Sequence, residues 1–308
     1  MAENILEYNS GTVRASLARG ERVLLRCVSF TLAEGESLAL IGETGSGKTM
    51  TALSIMRLLP RGIRQDGGRA LFLGEPLPGP EGMRSILGSG IVYIPQSGAE
   101  ALAPLRRLRW QLRDGLLKNG VPRERIEEKS LELLSQVGFE DPGRIMDSYP
   151  FELSGGMAQR VVMALAACAD ARLVIADEPT NGLDREATAA WFGLARKLFS
   201  RAAMIVITHD ISVAGLCDRA AVLCGGTLCE SGPAEEIISA PLHPYTRALI
   251  AALPQNGMAE TPRLRSGSSD CPFYGRCPEA GEACEGEIPD IRLAGRSCRC
   301  ARIQTLSI

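Results

Sequence analysis

Hydrophobic and polar positions along the chain fall into short apolar runs separated by amphipathic stretches. "RVLLRCVSFTL" alternates in part, and residues 1–41 as a whole read as short strands. "SLALIG" is almost wholly apolar, which predicts a strand buried on both faces that runs into a glycine-rich loop and the helix "KTMTALSIMRLL". "GGRALFLG" and "GIVYIPQ" predict further strands, with "EPLPGPEGM" as loop between them. From about 104 to 150 the pattern becomes helical and charged. There Ile126, Leu133, Leu134 and Val137 share one face of a helix that ends at Gly138. Leu105, Leu108, Leu112 and Leu116 form a second stripe among arginines, either a solvated amphipathic helix or a docking surface for a membrane partner. From 155 to 232 helices and strands alternate: a helix over 156–168, the strand "RLVIAD", a helix over 185–199, the strand "AMIVITHD" and a helix over 211–217. Trp191, Leu194 and Leu198 supply the inward face of the helix over 185–199. Residues 233–254 read as helical, and the remainder is rich in Pro, Gly and Cys without periodicity. The alternation predicts an α/β protein, a mainly parallel sheet covered by helices.

Composition narrows the function classes. At 308 residues the chain is long enough for one large domain or a domain with an appendage. A formal net charge of −2 leaves no basic footprint for a nucleic-acid partner, and none is expected. No apolar run approaches the roughly 18 residues of a membrane span. The polar, acidic start "MAENILEYNS" is no secretory signal. A cytoplasmic protein that can dock on a membrane protein is the expectation. Only four of the 34 basic residues are lysines, and Lys48 is the sole lysine among the first 117 residues. It falls in the glycine-rich loop.

That loop, "GETGSGKT" at 42–49, fits the pattern G-x-x-x-x-G-K-[ST] between a strand and a helix. Gly42, Gly45 and Gly47 allow the tight backbone path that lets N–H groups surround phosphates, and Glu43, Thr44 and Ser46 complete the cradle. Lys48 would bridge the β- and γ-phosphates and the Thr49 hydroxyl would ligate Mg²⁺. The apolar strand in "LVIADE" delivers Asp177 as a second Mg²⁺ carboxylate, with Glu178 beside it to polarise an attacking water. Gln96, at the end of "GIVYIPQ", can sense Mg²⁺ or water through its amide. His209 follows another apolar strand and is either a structural histidine or a γ-phosphate contact. A second glycine-rich helix start, "LSGGM" at 153–157, is another phosphate cradle, although the chain already has one.

In this order, "GETGSGKT", Gln96, "LSGGM", "LVIADE", "GLD" at 182–184 and His209 resemble the motifs of ATP-binding-cassette ATPases over about residues 20–232. The resemblance implies a P-loop NTPase of ABC type, α/β in class. Its parts would be a RecA-like core, an N-terminal antiparallel β subdomain, an α-helical signature subdomain at about 104–168 and a Cys-rich C-terminal extension. The ATPase domain would cover 1–254 and the extension 255–308. The resemblance further implies that two cassettes pair head to tail. Ser154, Gly155, Gly156 and Met157 would then contact the partner's ATP. Glu178 becomes the catalytic base, His209 the switch residue and Asp184 the coupling residue across the dimer.

The stretch "HPYTRALIAALP" at 243–254, followed by "DCPFYGRCP", is similar to the ATPases of bacterial peptide and nickel importers. This implies a peripheral subunit on the cytoplasmic face of the inner membrane. Its partners would be a second, non-identical ABC ATPase, because Met157 replaces the Gln usual in the mate, two permease subunits and an extracytoplasmic binding protein. The cargo would be di- or oligopeptides, or nickel and metal chelates. The alternative is a soluble ABC ATPase acting on nucleic acid or ribosomes, and a third possibility is a redox or metal sensor. After Gln96 the chain departs from the family, keeping only Leu102 and Pro104 in "SGAEALAP".

Of ten cysteines, Cys271, Cys277, Cys284, Cys298 and Cys300 crowd the C-terminal region. Their spacing lacks the close pair usual at zinc, and disulfides are not expected in a reducing compartment. Four thiolates, Cys271, Cys277, Cys284 and Cys298 with Cys300 as a substitute, can hold a [4Fe–4S] cluster; zinc or unligated thiols are the alternatives. Some importer ATPases with similar tails carry such a cluster.

Overall fold

The computed structural model describes residues 4–17, 20–98, 100–253, 269–293 and 295–306. The chain divides into two compact units, one of Met1–Ile5, Ala33–Gly35 and Pro78–Val206, the other of Leu6–Leu32, Glu36–Leu77 and Ile207–Ile308. The 254/255 boundary expected from the sequence lies outside the described residues.

In the first unit, the strand Leu173–Asp177 is wholly buried and lies between Ile91–Ile94 and Ala203–Thr208, of which residues 203–206 belong to this unit. Ile91–Ile94 pairs with it in parallel, Tyr93 opposite Ile175 and Ile94 opposite Ala176. Burial on both faces is why these strands are continuous apolar runs instead of alternating ones. The helices Leu108–Lys118, Ile126–Gln136, Pro142–Asp147 and Gly155–Ala166 pack against one another. Leu108, Leu112 and Leu116 form the buried stripe of the first of these. Leu105 does not join them: it precedes the helix and is 85% exposed. Ile126, Leu133, Leu134 and Val137 are buried as their spacing predicts, and Gly138 takes φ 87° just past the helix. In Arg185–Leu198 the inward residues are Trp191, Phe192 and Ala195, with Leu194 and Leu198 only partly covered. Pro80–Ile86 is a short helix where a loop is expected, started by a proline whose fixed φ suits the first turn.

In the second unit the strands run in the order Glu75–Pro76, Arg69–Phe72, Asn4–Leu17, Gly20–Ala33, Thr227–Pro233, Arg219–Cys224, Ser37–Ile41. The N-terminal region thus forms two long strands rather than several short ones, and Asn4–Leu17 pairs antiparallel with both Ile63–Asp66 and Arg69–Phe72. Ser37–Ile41, buried throughout, pairs in parallel with Arg219–Cys224. Its start is tied down by Asp218, whose Oδ2 accepts from the Ser37 backbone N–H at 2.8 Å and from its hydroxyl at 2.5 Å. The helix Lys48–Ile55 stops earlier than its apolar pattern suggests, because Arg57 turns to φ 57°.

Residues 233–254 break into two helices, Ala234–Ser239 and Pro244–Ala251. Pro241 and Pro244 disfavour helical backbone at the residues before them, and His243 caps the second helix by accepting the Tyr245 N–H at 3.0 Å on Nδ1. Glu230, fully buried, holds this region: it accepts from the N–H groups of Leu242 and His243 at 2.8 and 3.0 Å and from Arg296 at 2.7 Å. Charge-assisted bonds of this kind satisfy a carboxylate that burial would otherwise disfavour. The C-terminal region also contains two strands that no periodicity announces, Asp290–Leu293 and Arg296–Arg299, the second pairing with Thr227–Pro233.

Burial pushes the His243 imidazole down to about 4, with Glu230 only partly opposing it. The ring is therefore neutral when folded but binds a proton below its ordinary value of about 6.5 when unfolded. Between those values the unfolded state binds more protons, so stability falls as pH drops from 6.5 towards 4 and levels off below. Denaturant unfolding across that range should show a loss of a few kcal/mol. In His243→Asn, which keeps a capping acceptor, that part of the pH dependence should be gone.

Candidate nucleotide site

In the second unit, the strand Ser37–Ile41 delivers the loop 42–47 and the helix Lys48–Ile55. Gly42 has φ 155°, and a Cβ there would stand 2.2 Å from the Leu223 carbonyl oxygen and 2.5 Å from Ser46 Oγ. The loop is therefore pressed against the end of strand Arg219–Cys224, and only glycine fits. Lys48 is buried, and its ammonium donates to the carbonyls of Gly42 at 2.6 Å and Glu43 at 3.1 Å. Ser46 N–H also donates to the Glu43 carbonyl, at 3.0 Å. Ser46 is buried with a hydroxyl that has no hydrogen-bond partner among the described residues. A polar atom of that kind calls for a ligand or water. The helix has no side-chain cap at Gly47 and no acid in its first turn, so nothing there competes with an anion. These features fit a bound phosphate chain: backbone donors, an unused hydroxyl and a buried cation close together.

Glu43 is held on every polar side. Its N–H donates to the Tyr245 hydroxyl at 3.0 Å, and its carboxylate receives both Arg276 Nη atoms at 3.0 Å. Sequence reasoning placed neither Tyr245 nor Arg276 near the loop. Gly226 was likewise missed: its N–H donates to the Ser46 carbonyl at 2.8 Å and its own carbonyl accepts from Arg26 N–H at 2.7 Å. Its only signal in the sequence is the Gly-Gly pair at 225–226, which reads as an ordinary turn. His209 is exposed, at the end of Ala203–Thr208. Asp210 after it caps the next turn, accepting from Ser212 N–H at 2.8 Å.

In the first unit, Asp177 is buried at the end of its strand and accepts from the Tyr93 hydroxyl at 3.1 Å. Burial and the adjacent carboxylate both hold the Tyr93 phenol well above its ordinary range, so it remains a proton donor. Tyr93 is a further residue the sequence did not single out; its position opposite Ile175 in the parallel pair brings it to the carboxylate. Glu178 has φ 48°, an uncommon left-handed conformation for a non-glycine residue. The strand has already ended at Asp177, so this turn, and not strand alternation, sets the direction of Glu178. Gln96 is exposed just after Ile91–Ile94. Asp184 caps Arg185–Leu198 by accepting from Ala187 N–H at 2.8 Å.

Ser154 caps Gly155–Ala166, accepting from Met157 N–H at 3.3 Å. Ser154, Gly155 and Gly156 are exposed and Met157 half-buried. A Cβ at Gly155 or Gly156 would meet nothing within 4 Å, and neither has positive φ. The chain's own fold therefore does not require glycine at either position, unlike Gly42.

Among the described residues no group of three or more His, Cys, Asp or Glu is arranged to hold a metal ion. Cys271, Cys277, Cys284 and Cys300 nevertheless line one small cavity, together with His243, Ile288 and Ala301. Cys298 is not among the residues lining that cavity; it is buried in the strand Arg296–Arg299 and clusters with Cys300 and Ile303. Burial raises the Cys271 thiol to about 11 and pushes Cys277 and Cys300 up as well.

A strand, a crowded glycine loop holding a buried lysine, and a helix without competing acids make the phosphate-binding element of a nucleoside-triphosphatase. Residues 25–181 match the family "ABC transporter", and residues 229–284 match "Oligopeptide/dipeptide transporter, C-terminal region". The dipeptide transport ATP-binding protein DppD of Bacillus subtilis is 36% identical over 316 residues, covering 97% of this chain and 94% of that protein. A putative peptide import ATP-binding protein of Brucella abortus is 36% identical over 289 residues, 89% of this chain and 87% of the relative. Among solved structures, a bacterial ABC transporter cassette in dimeric form has the same fold, with TM-score 0.66 and 24% identity over 74% of this chain and 98% of that one. The chain belongs to the ABC transporter family and is one of its ATPases. Among the described residues no helix is long and apolar enough to cross a membrane.

Replacing Tyr93 by Phe removes one hydrogen bond to a buried carboxylate, a contact of about 1.5–3 kcal/mol. Its expected result is a loss of folding stability of that order, read from denaturant unfolding.

Proposed function

We propose that this chain is the ATP-binding and ATP-hydrolysing subunit that powers a bacterial peptide importer. The observation that carries the proposal is the loop 42–47, crowded against Leu223 and holding Lys48 on two of its own carbonyls. When ATP binds, Lys48 exchanges those carbonyls for the phosphates, and Glu43, Thr44, Gly45, Ser46 and Gly47 supply the surrounding loop. Thr49, Asp177 and Gln96 would be the Mg²⁺ ligands, with Tyr93 keeping the Asp177 carboxylate in place. Glu178 acts as the general base towards water, and His209 responds to the γ-phosphate. Bound there, Mg²⁺ would supply charge neutralisation towards the phosphates.

The exposed Ser154, Gly155, Gly156 and Met157 contact ATP on the opposing cassette. Support for this comes from the two glycines, which the chain's own packing does not require and which leave room for a foreign phosphate. Asp184, at a helix start, couples the two sites. The opposing cassette is a second, non-identical ABC ATPase. The assembly contains two permease subunits and an extracytoplasmic binding protein, and this subunit lies peripherally on the cytoplasmic face of the membrane. The relatives named for peptide import and the match of residues 229–284 favour peptides over nickel or its chelates, and transport over a soluble role on ribosomes or nucleic acid. The subdomain reading has the N-terminal strands as the antiparallel β part, residues 104–168 as the helical signature part and 255–308 as the Cys-rich extension.

Glu178→Gln should bind ATP with unchanged affinity while turnover in the assembled transporter falls by about 10²–10⁴-fold, the usual contribution of a general base. Turnover close to the unmodified rate would remove Glu178 from the chemistry.

For the extension, the cavity-lining set Cys271, Cys277, Cys284 and Cys300 would hold a [4Fe–4S] cluster, with Cys300 in place of Cys298. Anaerobically purified protein should carry iron and acid-labile sulfide in equal amounts. Cys300→Ser should lose them while Cys298→Ser retains them; zinc in their place would refute the cluster.

A further inference from the structure

Two of the groups that hold Glu43 come from the C-terminal region, more than 200 residues along the chain from the loop. Tyr245 is buried to within 1% and packs against Phe273, ring centroids 5.3 Å apart. Phe273 is also buried, and the Arg276 guanidinium lies over its ring at 5.3 Å. Tyr245, Phe273 and Arg276 therefore form one stacked unit that meets Glu43 at both its backbone N–H and its carboxylate.

We infer that Arg276 and Tyr245 are positioning residues of the nucleotide site, so that the Cys-rich region is a working part of the phosphate loop and not an appendage to it. This rests on the reading of residues 42–49 as the ATP site. Three observations carry it. The Glu43 carbonyl is one of the two that hold the Lys48 ammonium, so the plane of that peptide sets where the catalytic cation waits. The Glu43 N–H, which shares its peptide with the Gly42 carbonyl that also holds Lys48, is tied to Tyr245, so that peptide has little freedom to turn.

The second observation is electrostatic. A carboxylate within an anion-binding loop opposes a triphosphate, and the two-pronged contact from Arg276 neutralises it with a geometry lysine cannot reproduce. The third is the exposure of the pair. With Glu43 46% and Arg276 26% exposed, the ion pair adds little to folding stability, so stability alone does not account for so exact a contact. Arg276 also lies immediately before Cys277 in the segment whose thiols line the cavity.

The test uses the full chain, with ATP affinity measured by direct binding and KM and kcat measured in the assembled transporter. Arg276→Ala should raise the Kd and KM for ATP about three- to fivefold, the range of a partly exposed pair, with kcat kept within about twofold. Arg276→Glu, which adds repulsion, should raise them further. Tyr245→Phe should move KM in the same direction. The charge-swapped double variant Glu43→Arg, Arg276→Glu should recover most of the affinity lost in Arg276→Glu. Melting temperatures are read alongside: a fall in kcat and melting temperature together, without rescue by the swap, would overturn the inference in favour of a purely structural contact. Unchanged KM in both Arg276 variants would also overturn it. Lys48→Ala separates the two levels. If the unmodified chain binds ATP and Lys48→Ala does not, a null result at Arg276 refutes only the positioning role. If neither binds ATP, the assignment of residues 42–49 fails and the inference with it.

Discussion

The second unit depends on a contact between backbones from which side chains are excluded. The loop 42–47, the turn 224–227 and the strand Gly20–Ala33 meet so closely that a Cβ at Gly42 would strike the Leu223 carbonyl at 2.2 Å, and one at Gly226 would strike the Leu24 carbonyl at the same distance. Gly226 then bridges the other two, donating to Ser46 and accepting from Arg26. With the N–H and the carbonyl of Gly226 both bonded, the peptides on either side of it are held, and the Ser46 carbonyl of the loop is held with them. The buried strand Ser37–Ile41 and the Asp218 tie at its start serve the same end, because they set where the loop begins.

A second theme is the use of buried charge to order the C-terminal region, which has little apolar patterning of its own. Glu230 gathers two backbone N–H groups and Arg296 at full burial. A carboxylate in that position must be fully satisfied or it destabilises the fold, so its partners are held in one arrangement. That arrangement puts Arg296–Arg299 beside Thr227–Pro233 and sets His243 at the start of the helix bearing Tyr245. From there the order passes through stacked rings to Phe273 and Arg276. The cysteine cavity and the phosphate loop thus share one supporting set of side chains.

Legibility in the sequence followed the range of the forces involved. The strand into the phosphate loop, the buried strand ending at Asp177 and the helix stopping at Gly138 were readable because each depends on neighbours within a few residues. Leu105 was misplaced on the stripe of Leu108, Leu112 and Leu116 because periodicity does not show where a helix begins. The segment 233–254 reads as one helix by composition, but Pro241 and Pro244 act on the residues before them and split it into two. Asp290–Leu293 and Arg296–Arg299 gave no signal, since their place is set by a partner strand far away in the chain.

By itself the sequence determined the chemistry available: a glycine loop with one lysine, a carboxylate pair at a strand end, a second glycine-rich helix start and a set of C-terminal thiols. Those are properties of residue type and short spacing, and local stereochemistry suffices to read them. Only the tertiary structure decided which groups support that chemistry. Tyr93 reaches Asp177 through parallel pairing, Gly226 reaches the phosphate loop through a hairpin, and Tyr245 and Arg276 reach Glu43 across more than 200 residues. It also decided that Cys300, and not Cys298, shares the cavity with the other three thiols. Such contacts join residues whose separation along the chain carries no information, because they form only when the core brings distant segments together.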